Sequence, residues 1–141
     1  MPVEQIAGKT KAVDLVVAYV VGDVDLVAAA RLKSDELACG YMLQQLERML
    51  SQAVMADPGF SFRTRAVMPP AGIEWRSTVP MAADVAAVVW GLAGDGGEGP
   101  WTEEDRATAL AVSAAARGIG TWGTDGLLTR LAAMRAVVSA A

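Results

Sequence analysis

The side chains of this sequence that could carry chemistry are few, and the most versatile type is missing. None of its 141 residues is histidine, the residue whose proton equilibrium lies nearest neutrality and the commonest metal ligand. Ser-His-Asp and Cys-His pairs and His-containing zinc sites are therefore excluded. Cys39 is the single cysteine, which removes thiolate-only zinc and iron–sulfur sites as well. Tyr19, Tyr41, the lysines and the carboxylates are the acid–base groups that remain, and no pair of them has spacing diagnostic of catalysis. Cys39 has no neighbour in sequence that would stabilise a thiolate and reads as a small core residue.

Two motifs imitate sites. Gly118-x-Gly120-x-x-Gly123 has the spacing of a dinucleotide-binding loop. That loop needs a strand before it and a ribose-binding carboxylate well after it. Here an Ala-rich, helix-forming run precedes it and too few residues follow, so it reads as a connector between two helices. Asp95, Glu98, Glu103, Glu104 and Asp105 form an acidic run, but the alternating Asp/Asn pattern of a calcium loop is absent. A solvated loop and a helix start account for it. No metal and no cofactor is expected.

One segment does suggest a partner. Arg63, Arg65, Trp75 and Arg76 concentrate positive charge and a large aromatic in a chain with 16 Asp+Glu against 12 Lys+Arg. Arg and Trp are favoured interface anchors, which makes these four the candidate partner-binding residues. The alternative is an ordinary solvated strand face paired to Glu74.

Trp101-Thr102-Glu103-Glu104-Asp105, with Trp122 downstream, resembles the opening of a Myb-type helix-turn-helix repeat over about a third of the chain. The resemblance implies a last helix that enters the major groove through basic and amide side chains. The last helix here has Arg130 and Arg135 among Leu and Ala, with no Asn, Gln or Lys. Packing of the two Trp into a core is the reading kept.

The elements that must position these residues are mostly helices. Val13, Val16, Val17, Val20 and Val21 follow i, i+3, i+4, i+7, i+8, the helical period. The run is apolar on nearly every side, so its helix must be central or covered by another chain. Gly22 ends it, and Asp23 or Asp25 caps a short helix to about Leu32. Ser34 caps a helix from about Asp35 to Ala56 whose seam is Cys39, Leu43, Leu46, Leu50 and Ala53, with Gln44, Gln45, Glu47, Arg48, Ser51 and Gln52 on the wet side. Period-two alternation on either side of Pro69-Pro70-Ala71-Gly72 predicts a β-hairpin. A helix follows from Pro80 to about Ala93, then the glycine-rich loop 94–100. Thr102 caps an Ala-rich helix that ends at Gly118, and Thr124 or Asp125 caps the last helix.

The expected fold is therefore mostly α: one domain, residues 1–141, a bundle of five or six helices with a small β-hairpin at about residues 60–79. Hydrophobic residues make up 53% of the chain and its net charge is −4. That suits a packed core and disfavours generic nucleic-acid binding. Met1-Pro2-Val3-Glu4-Gln5 lacks the basic start of a signal peptide. Asp14, Asp23 and Asp25 interrupt the longest apolar stretch, so no membrane span is expected. An unpaired cysteine fits a reducing cytoplasm.

The function expected is a non-catalytic cytoplasmic interaction or assembly module rather than an enzyme. It would self-associate, as a homodimer, or bind a protein partner, with Val13, Val16, Val17 and Val20 at the oligomer interface and the hairpin arginines at the partner face. The first alternative is a small-molecule binder or minor enzyme, using a carboxylate in an apolar pocket among Trp, Tyr and Met. The second is a nucleic-acid-associated regulator.

Overall fold

The computed structural model describes residues 2–33, 36–56 and 103–140, nearly all of them helical and none in a strand. The helices are α1 (Val3–Val21), α2 (Val24–Ala30), α3 (Ala38–Ala56) and α4 (Glu103–Ala140). The hairpin expected at 60–79, the helix from Pro80, the glycine-rich loop and the caps at Ser34 and Thr102 lie outside the described residues.

α1 is the centre of the bundle and packs against α2, α3 and α4. Val13 and Val16 are fully buried and Val20 is 5% exposed. Burying a Val or Leu side chain contributes roughly 1.5–3 kcal/mol, whereas a β-branched residue in a helix costs at most about 0.7 kcal/mol relative to Ala. Packing decides, and the valine-rich stretch is helical. Gly22 closes α1 in the left-handed region, at φ 77° and ψ 31°. Asp23 then caps α2, its carboxylate accepting from the Asp25 and Leu26 N–H groups at 3.0 and 3.1 Å. Two contacts pin the far end of α2. Lys11 donates to the Ala29 carbonyl at 2.7 Å, and the Arg31 guanidinium bridges Tyr19 of α1 and Thr108 of α4.

α1 and α3 start side by side and run the same way. Gly8 lies so close to the first turn of α3 that a Cβ there would collide with the Ala38 carbonyl oxygen and come within 2.7 Å of Tyr41 Cβ. Along α3 the seam is interior as expected, with Cys39, Leu46, Leu50 and Ala53 buried and Leu43 half-buried. Gln45 corrects the expected wet side: it is buried, and its amide donates to Met134 Sδ at 3.2 Å. A heptad pattern assigns a polar side chain outward, and here a thioether on another helix draws it in.

α4 is broken once, at Gly123, whose φ 75° and ψ 167° fall in a region essentially confined to glycine. Gly118 stays helical. A Cβ on it would meet Leu127 Cδ1 at 2.6 Å, although nine residues of straight helix span about 13 Å. The chain therefore bends sharply at Gly123, and the second arm returns antiparallel to α1 and α3, Arg135 donating to Asp14 at 2.8 Å. The expected break at Gly118 moves to Gly123. The first glycine clears room for Leu127 and the last supplies the backbone angle.

Candidate functional site

The bend in α4 leaves an apolar cleft of about 200 Å³ against α1 and α3. Its floor is Val16 of α1, Met49 of α3, Ala114 of the first α4 arm, and Leu127 and Leu131 of the second, all buried. Its rim is Trp122 before the break, Arg130, Ala133 and Met134 after it, and Gln52 of α3. Met134 is held by the Gln45 amide, so the buried glutamine also shapes one wall.

Trp122 and Arg130 meet only because of the break. The Arg130 guanidinium carbon sits 4.1 Å from the centre of the Trp122 ring, a cation–π contact of roughly 0.5–1 kcal/mol at an exposed site. Arg106 and Arg135 face carboxylates instead, Glu47 at 3.6 Å and Asp14 at 2.8 Å. Among the described residues, Arg130 is thus a cation at the rim of an apolar hollow, directed to a ring and not to an acid. Among the described residues, the lining has no carboxylate, thiol or hydroxyl. The described lining is thus an apolar floor with one cation and one amide at its rim.

Cys39 lies elsewhere, in the interior at the start of α3. Burial, reinforced by the charge of Glu103 and a hydrogen bond to it, pushes its thiol up to about 11. It stays protonated at neutral pH and is a poor nucleophile. Among the described residues no cluster of metal-ligating side chains forms, and no helix is long and apolar enough to cross a membrane.

The residues singled out by sequence fall in three places. Arg63, Arg65, Trp75 and Arg76 lie outside the described residues. Val13, Val16 and Val20, expected at an oligomer interface, are interior to one protomer, and Val17 is half-buried. The helix read as either central or covered by another chain is packed against α2, α3 and α4 of its own chain. Trp122, Met49 and Met134 line the cleft, and among the described residues no tyrosine or carboxylate does. Arg130 was considered only for DNA contact, and its spacing of eight from Trp122 carries no signal in an unbroken helix.

No protein-family model matches the chain, and no curated protein and no solved structure matches it either.

Proposed function

We propose that this chain is a non-catalytic binding protein that holds a small apolar molecule in the cleft between α1, α3 and the bent α4. The cleft itself carries the reading: about 200 Å³ of apolar space whose floor residues belong to the buried core. Drug-sized pockets run to roughly 300–1,000 Å³, and an apolar cavity of about 150 Å³ holds benzene. A single ring with a short substituent fits this space. An enzyme using a carboxylate base is disfavoured, because the described lining lacks one. The free, protonated Cys39 fits a reducing cytoplasm.

The test is thermal unfolding with 2-phenylethanol. The melting temperature should rise with ligand concentration by mass action, and Ala114→Leu, which fills the floor, should abolish the rise. A flat melting temperature in the wild-type protein up to millimolar ligand would refute the reading.

A second reading, an interaction or assembly module that self-associates, draws on a different observation. Val3, Leu37 and Val137 are 78%, 70% and 72% exposed, and Val3 and Leu37 both lie at the end of the bundle where α1 and α3 begin. The Arg63–Arg76 segment belongs to the same reading. Light scattering decides it: a dimer that Leu37→Glu dissociates supports it, and a 14.7 kDa monomer at high concentration removes it.

A further inference from the structure

We infer that the molecule held in the cleft is a monocarboxylate with a small apolar body, its head group met by Arg130 while the body lies on the Leu131 and Met49 floor. The inference rests on the binding reading above and adds the head-group chemistry.

Three observations carry it. The floor is apolar, so the buried part of the ligand must be apolar too. The described rim has one charge, Arg130, and one amide, Gln52, so a polar end directed outward meets a cation. Arg130 is also held in a way that leaves it usable. A guanidinium over a ring face keeps its in-plane N–H donors available, and no carboxylate among the described residues pairs with it, unlike Arg106 and Arg135. The ring fixes the position of the cation, and a carboxylate supplies what the ring cannot, two acceptor oxygens matched to the guanidinium fork. Size sets the rest. At about 200 Å³ the cleft encloses a phenyl ring and a methylene, with the carboxylate at the rim. The chain's net charge of −4 repels anions at long range, so any anion preference must arise locally, and salt weakens a contact at an exposed rim.

The test compares three probes of one size: phenylacetate, 2-phenylethanol and 2-phenylethylammonium. Binding is followed by fluorescence and titration calorimetry on the wild-type chain, Arg130→Gln and Arg130→Lys. Phenylacetate should bind the wild type about three to ten times more tightly than 2-phenylethanol, with the ammonium weakest. Arg130→Gln should bring phenylacetate to within about twofold of the alcohol measured on the same variant, and Arg130→Lys should keep part of the preference. If the alcohol binds but phenylacetate binds no better, or if the preference survives Arg130→Gln, the carboxylate inference is overturned and the binding reading stands. If none of the three binds, both are overturned.

Discussion

The same two helices, α1 and α3, meet in opposite ways at their two ends. At Gly8 they approach so closely that one methyl group does not fit. Two turns further on, between Val16 and Met49, they help enclose about 200 Å³ of space. The chain can evidently bring these helices into close contact, so the gap marks where the bent α4 inserts a different geometry. There Leu127 packs onto Gly118, and Trp122 and Arg130 stand at the opening. The tight end leaves no room for a side chain at Gly8, and the open end is where binding is proposed.

The comparison is broken most severely at its tight end. Gly8→Val should cost about 3 kcal/mol or more, because the neighbour it meets first is backbone and cannot rotate away; urea unfolding measures this. Tolerance of valine at that position would mean that α1 and α3 are not in close contact there.

The bend comes next. Gly123→Ala forces a side chain into a backbone region that only glycine occupies readily and should cost about 2 kcal/mol. It should also weaken 2-phenylethanol binding, since Trp122 and Leu127 would no longer share a wall. A stability loss with unchanged binding would separate the bend from the cleft.

Cys39 sharpens the picture of the tight end by its response to alkali. Below about pH 9 the thiol is protonated in both folded and unfolded chains, and the protein has its full stability. Between about 9 and 11 the unfolded thiol ionises while the folded one stays protonated, so stability falls by on the order of 2 kcal/mol. Denaturation midpoints from pH 8 to 11 should fall more steeply for the wild type than for Cys39→Ala. Parallel slopes would mean that the thiol is not buried beside Glu103.

The smallest effect is expected at the open end. Ala114→Leu adds volume where there is room and should leave stability unchanged or raise it by about 0.5–1 kcal/mol. A loss like that of Gly8→Val would show the two regions to be equally full.

How much of this was legible in the sequence follows from how local each feature is. The α1 stripe, the Gly22 stop and the α2 cap depend on residues within a turn of one another; the sequence shows the first two and narrows the cap to Asp23 or Asp25, of which the structure takes Asp23. The glycine triplet reads as a helix connector, but residue type does not tell which glycine carries the unusual backbone angle. Gln45 was placed on the wet side because its partner, Met134, is 89 residues away. The covering of α1 by its own neighbours was open for the same reason: apolarity on every side shows that a helix is covered and not by what. The cleft was least legible. It joins Val16, Met49 and both arms of α4, and its rim exists only after the chain bends at Gly123.

The most direct test of the open cleft is a methyl spectrum of the chain carrying 13C-labelled methionine, titrated with 2-phenylethanol. Met49 and Met134 line the cleft, Met42 is buried elsewhere in the core, and Met55 is 80% exposed on α3. The account predicts saturable shifts at Met49 and Met134, with Met42 and Met55 still. Shifts at Met55 alone, or none at Met49 and Met134, would contradict it.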